Sequence, residues 1–425
     1  MTPIRRLLLL AYFYPPLGGP AVQRPCKTVK YLSQLGWETD VITASDIVYH
    51  STDSSLLKEC AHRRIFRTAS LDPLFVMNLL RKLFKVPTDK LYFGTSQSGK
   101  SRFRKLFPID HKIGWIPFAI RAGKQALLTD KYSTVMVTGG PFSSVLAASR
   151  IAAFGKIPLI VDYRDLWTLD PEALQAGKFS ASVLRSLERK LLRQASLVTT
   201  ATALMADLLV QNFAAEAKDK VLPVFNGWDE ADFSGLKSKR SPDGTIRIAY
   251  VGTLYGERPL SPFYQAWQKV AAENPELRWE LQMVGNFYPE THREAQASTM
   301  ADRIQFIPQQ THCGAIQHML DADILLLAIG KADRKWVLTG KLFEYLRCQK
   351  PILTLGAPDC EAADILTACH HEPPCPIDDT QSISSVLQRI LTRLQTQNLD
   401  YTIPLEYERS HQINNLNSAI LKILS

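Results

Sequence analysis

The sequence predicts an α/β protein made of two doubly wound parallel sheets in tandem. Three observations carry this. Short, almost wholly apolar runs recur along the 425 residues, as parallel strands covered on both faces require. Several runs end in glycine and pass into a segment of helical periodicity, which is the rhythm of a βαβ unit. That rhythm stops once, in a polar stretch at 230–244, and restarts with a fresh strand at Ile246.

The chain opens RRLLLLAYFYPPLGGPAVQR, Arg5 to Arg24. An apolar run behind two basic residues fits a secretory leader or a first buried strand. A leader's apolar core meets a small-residue cleavage site. Here Leu7–Tyr14 meets Pro15-Pro16-Leu17-Gly18-Gly19-Pro20 instead. Val22, Val29, Leu32 and Leu35 then share a helical face, Gly36 ends the helix, and Thr39–Thr43 reads as a second strand. The strand reading follows. Further along, Val135–Thr138 runs into Gly139-Gly140, and a helix follows from Ser143 to Phe154. Next come a strand over Pro158–Asp162, a helix over Leu184–Ala195 and a strand over Leu197–Thr200. Val221–Phe225 carries Pro223, which suits an edge strand. In the second half, strands are expected at Ile246–Val251, Trp279–Val284, Ile304–Ile307, Asp323–Leu327 and Pro351–Leu355.

Composition narrows the function classes. The seven cysteines are odd in number and form no CxxC, which suits reduced thiols and a cytoplasmic chain. No run approaches the roughly 20 apolar residues that span a bilayer. A net charge of +9 points to an anionic partner. Nucleic acid is set aside because no reader motif is present. Residues 50–112 break the βαβ rhythm. Within 74–107, Arg81, Lys82, Lys85 and Arg104 alternate with Leu80, Phe84 and Phe103. That stretch reads either as contact with an anionic membrane surface or as a solvated basic face over core residues. No metal is expected. Asp321-Ala322-Asp323 leads straight into a strand, which suits helix-end capping. Cys360, Cys369, His370, His371 and Cys375 fit no common zinc spacing. His312 and Cys313 form no recognisable nucleophile pair.

In such sheets ligands bind beyond the carboxyl ends of the strands, in the groove between domains. Three strand ends stand out. Gly18-Gly19 lets backbone approach a ligand ahead of a helix N-terminus, with Arg24 in the first turns, or is a plain tight turn. In Asp162-Tyr163-Arg164-Asp165-Leu166-Trp167, the residues Arg164, Asp165 and Trp167 suit a polyhydroxylated substrate, or an Arg–Asp pair shapes the loop. In Thr339-Gly340-Lys341-Leu342-Phe343-Glu344, a glycine opens a helix carrying Lys341 and Glu344 one turn apart. The backbone at Gly340–Leu342 and the Lys341 ammonium can hold a diphosphate, and Glu344 can accept from ribose hydroxyls. Gly252 closes the restart strand, and Arg258 follows it.

Taken together, YFYPPLGGPAVQR, VDYRDLW, VFNGWDEADF, VGTLYGER and TGKLFEYL followed by KPIL make the chain resemble the GT-B-fold glycosyltransferases of family 4. The resemblance runs along nearly the whole chain. It implies two Rossmann-like domains facing a central cleft: 1–228 on the acceptor side and 229–404 on the donor side. It also implies that a C-terminal helix, 405–425, packs back on the first domain. The implied activity is retaining, metal-independent transfer of a sugar from a nucleotide-diphosphate sugar to a glycan or lipid-linked acceptor, in surface polysaccharide or glycolipid assembly. The enzyme would need no cofactor and would be cytoplasmic, with possible peripheral attachment to the membrane. By the same resemblance, Gly18, Gly19 and Gly252 lie by the donor, Arg258 and Lys341 neutralise its diphosphate, and Glu344 holds its ribose. Two positions depart from the family: Trp336 stands where an earlier glutamate is expected, and Thr253 replaces a common arginine. The alternatives are a nucleotide-sugar epimerase of the same fold and a non-catalytic nucleotide-sugar-binding or scaffold protein.

Overall fold

The computed structural model describes residues 5–45, 47, 52–53, 55–71, 109–170, 178–239, 243–254, 258–329 and 334–425. Two compact units divide the chain: Met1–Phe225 with Gln412–Ser425, and Asn226–His411.

The first unit is built on β1 (Arg5–Leu10), β2 (Trp37–Ala44), β3 (Arg64–Thr68), β4 (Thr134–Thr138), β5 (Leu159–Tyr163), β6 (Leu197–Thr200) and β7 (Val221–Pro223). Their order is β3-β2-β1-β4-β5-β6-β7, and every pairing is parallel. The chain winds outward from β1 to one edge, returns to β4 and winds to the other. The switch point therefore lies between β1 and β4, where Leu10 faces Val137. Leu7 to Leu10 are at most 1% exposed, which explains the unbroken apolar run of a central strand. Leu7, Leu9, Val22, Val29, Leu32, Val41 and Met136 form one core with Ile413, Leu416 and Ile420. Those last three belong to the helix Arg409–Leu424. Trp37 Nε1 donates to Asn417 Oδ1 at 2.8 Å in the same contact.

The second unit is built on β8 (Ile246–Val251), β9 (Trp279–Val284), β10 (Ile304–Ile307), β11 (Ile324–Ala328) and β12 (Ile352–Leu355). The order is β10-β9-β8-β11-β12, again all parallel. The switch point is between β8 and β11. Tyr250, Phe263, Trp267, Leu281, Leu326 and Leu353 fill the core.

Two features depart from the sequence reading. The 50–112 interruption contains β3, an edge strand. Its Arg64, with Arg63 just before it, pairs with the fully buried Asp40 and with Asp130. Burial alone would raise the Asp40 carboxyl, but hydrogen bonds from Arg63, Arg64 and Tyr132 outweigh it and hold the group below its ordinary range. Charge on an edge strand hid it from an apolar-run search. The second departure concerns the thiols. The expectation that all seven are reduced does not hold, because Cys26 and Cys60 are joined in a disulfide. It ties the helix Pro20–Gln34 to the helix Ser55–Glu59, next to an ion pair of Lys27 with Glu59 at 2.5 Å. The basic stretch 74–107 lies outside the described residues. Among the described residues, no helix is long and apolar enough to cross a membrane.

Candidate functional site

At the carboxyl end of the second sheet, β8 stops at Val251 because Gly252 turns to φ 108°. Gly285 turns at φ 142° after β9, and a Cβ there would lie 2.8 Å from the Gly252 carbonyl. Only glycine fits this pair of turns. They open a pit into which Lys341 reaches. A Cβ on Gly252 would sit 2.9 Å from Lys341 Cε.

Lys341 stands in the first turn of the helix Gly340–Cys348. Its ammonium donates to Tyr250 Oη at 2.7 Å and lies 4.0 Å from the centre of that ring. Tyr250 Oη in turn donates to the Thr253 carbonyl at 3.1 Å. Burial pushes the ammonium down to about 7; the nearby positive charge of Arg258 adds to this and Glu344 opposes it. Arg258 Nη1 donates to the Ala328 carbonyl at 3.4 Å, at the end of β11. Two cations thus meet at a helix N-terminus whose Thr339 side chain makes no cap. Beyond Gly340, a Cβ would find nothing within 4 Å. An anion arriving there meets free backbone N–H character, the helix dipole and two positive groups.

Glu344, one turn on, lies 3.6 Å from His312 Nε2. His312 opens the helix His312–Asp321, and its Nε2 is also 3.1 Å from Asp232. The turn Glu230–Phe233 therefore serves twice. Asp232 holds His312, and Glu230 grips Arg347 of the lysine helix with two hydrogen bonds of 2.5 and 2.6 Å. Sequence reading missed His312: its partners lie far away in the chain, and only the GWDEADF motif hinted that this turn mattered. Leu342 points elsewhere. Its side chain is fully buried and its N–H donates to the Thr339 carbonyl at 3.1 Å. Trp336 is half-buried. Asp321 and Asp323 accept from the backbone N–H groups of Lys239 and Arg247.

The remaining candidates lie in the first unit, at the carboxyl ends of β1 and β5. Gly19 turns at φ 85° before the helix Pro20–Gln34, beside Gly18. Arg24 is not turned to a ligand. It grips Asp162 with hydrogen bonds of 2.6 and 2.9 Å and donates to the Val224 carbonyl at 2.8 Å, all buried. The Arg–Asp pair anticipated in the VDYRDLW loop is thus Arg24 with Asp162. Arg164 instead donates to the Ala21 carbonyl at 3.0 Å, which ties the two loops together. Asp165 is exposed. Trp167 is buried and stacks on Phe142 at 5.1 Å, and the buried carboxyl of Glu188 accepts from Thr168 N–H at 3.2 Å. These contacts fix the loop that presents Arg164 and Asp165.

Two doubly wound parallel sheets in one chain, each with glycine turns at the switch-point ends, decide the architecture. The fold is GT-B-like. It is related to that of glycosyltransferase family 4 and of the nucleotide-sugar epimerases. Residues 21–226 match the model of the glycosyl transferase 4-like domain. Solved structures show the same fold over nearly the full length of both chains. Sucrose-phosphate synthase from Thermosynechococcus elongatus is 14% identical with a TM-score of 0.62, covering 99% of this chain and 97% of the other. The HepE protein of Anabaena in complex with UDP and glucose is 13% identical with a TM-score of 0.58, covering 99% and 97%. A putative UDP-N-acetylglucosamine 2-epimerase from Listeria monocytogenes is 12% identical with a TM-score of 0.59, covering 99% and 96%. No curated protein matches the chain in sequence. At such identities the GT-B-like likeness is one of fold.

Proposed function

We propose that this chain is a retaining glycosyltransferase that takes its sugar from a nucleotide-diphosphate sugar and passes it to a glycan or lipid-linked acceptor, in surface polysaccharide or glycolipid assembly. The observation that carries the reading is the enclosed Lys341 ammonium beside Arg258 at the open N-terminus of Gly340–Cys348. Cleaving the bond between the sugar's anomeric carbon and phosphate leaves negative charge on the departing diphosphate. Lys341, Arg258 and the backbone at Gly340 stabilise that charge from fixed positions, as a metal ion would in other designs. Glu344, steadied by His312, accepts from the ribose hydroxyls. Gly18 and Gly19 allow close approach to the donor, while Arg164 and Asp165 face the acceptor with Trp167 behind them. The matched 4-like domain and the UDP and glucose bound by HepE support this reading over a scaffold.

A thermal-shift screen across nucleoside diphosphates and their sugars tests it first, since a ligand stabilises in proportion to its occupancy. At least one should raise the melting temperature, and Arg258→Ala and Glu344→Ala should each cut turnover about 100-fold. A screen in which nothing stabilises the protein removes the proposal. The epimerase reading shares the donor site and the fold of the Listeria protein. Product analysis separates the two, because an epimerase changes or frees the sugar with no acceptor present.

A further inference from the structure

The helices Ile116–Thr129 and Ser143–Gly155 lie side by side in the first unit. Their approach is close: a Cβ on Gly123 would collide with Ile151, and one on Gly155 would lie 3.0 Å from Leu127. The two contacts share one offset, so the helices run in the same direction and residues at that offset are level. Arg121, Lys124 and Leu128 follow one another at helical spacing on the exposed face of the first helix. Arg150 and Phe154 do the same on the second, with Lys156 just after it. Lys124 Nζ lies 5.0 Å from the Phe154 ring centre, which joins the two rows into one face.

The charge on this face is of one sign. Neither helix contains an acidic residue. Arg121, Lys124, Arg150 and Lys156 make no ion pair among the described residues. The nearest following acid, Asp130, is occupied by Arg6, Arg63 and Arg64. The face also exposes large apolar side chains, with Leu128 at 75% and Phe154 at 46%. A solvated basic face needs neither. We propose that this surface docks the protein on an anionic lipid bilayer. The four cations would sit at the headgroup level, with Leu128 and Phe154 dipping below it. The apolar pair favours a bilayer over nucleic acid, whose phosphates would use the cations alone. The proposal does not rest on the glycosyl-transfer reading, and it concerns a surface separate from 74–107.

Flotation of the full chain with phosphatidylcholine vesicles, with and without phosphatidylglycerol, tests it. The chain should float only with the anionic vesicles, and less as salt is raised. Lys124→Glu with Arg150→Glu should weaken partition at least about tenfold. Leu128→Ser with Phe154→Ser should weaken anionic-vesicle binding while leaving the melting temperature unchanged, since both side chains are exposed. The proposal is overturned if the wild-type chain does not float. It is equally overturned if both double variants bind undiminished, if only changes within 74–107 abolish binding, or if a DNA or RNA duplex displaces the vesicles from the same residues.

Discussion

A methyl group on Gly252 would lie 2.9 Å from Cε of Lys341 and would hold a φ of 108° that side chains rarely adopt. Gly252→Ala should therefore cost about 1–3 kcal/mol and also displace the lysine. A melting curve reads the first effect, and loss of nucleoside-diphosphate binding reads the second. Binding that survives unchanged would show that the Lys341 pit is not the anion site. The same lysine sets a pH signature. Its ammonium is pushed down to about 7, whereas an unfolded lysine keeps its proton to about 10. Between those values the unfolded chain binds the extra proton, so through this group native stability rises with pH and is lost as pH falls through 7. A diphosphate placed beside the ammonium favours the charged form. Binding near pH 8 should accordingly take up a proton, measured by calorimetry in buffers of different ionisation enthalpy. Lys341→Met should abolish the uptake, and uptake that persists in it would assign the proton elsewhere.

Strands and loops show what could be read from the chain and what could not. Lys341, Glu344, Gly252 and Arg258 were legible because spacing within one turn or loop determines their neighbourhood. The central strands were legible because burial on both faces leaves a run of apolar residues. By contrast β3, rich in arginine, reveals itself only through Asp40 and Asp130, which come from other elements. His312 needs Asp232 and Glu344, and Arg24 needs Asp162; no local pattern encodes either grouping. The Arg24–Asp162 tie carries its own prediction. Burial raises the Asp162 carboxyl, but the Arg24 charge and hydrogen bonds from Arg24 and Thr199 outweigh it and hold the group low. Arg24→Ala strands that carboxylate in the core and should destabilise the first unit by about 3–5 kcal/mol. The double variant with Asp162→Ala should lose less than the two single losses summed. The stability this pair contributes is present above the ordinary carboxylate range and disappears as pH falls through the lowered value. Strict additivity in chemical denaturation would mean the two side chains do not act as a pair.

The chain's last residues belong to the core of its first half, and this gives the division into two units a measurable consequence. Ile413, Leu416 and Ile420 are at most 3% exposed and pack with Leu7, Leu9, Val29 and Val41. Burying each such side chain stabilises by about 1.5–3 kcal/mol. Removal of 412–425 therefore takes away a large share of what holds a typical domain folded, about 5–15 kcal/mol. The loss falls on the unit that starts the sequence, although the cut is at the opposite end. Hydrogen exchange followed by mass spectrometry resolves it, because protection reports local stability. Amides in β1, β2 and the helix Pro20–Gln34 should lose protection in the truncated chain, while those in β8, β9 and β11 keep theirs. Tyr250, Trp267 and Leu326 lie in a separate core with no contribution from the removed helix. Protection lost equally across both sheets, or in neither, would contradict this assignment of the C-terminal helix.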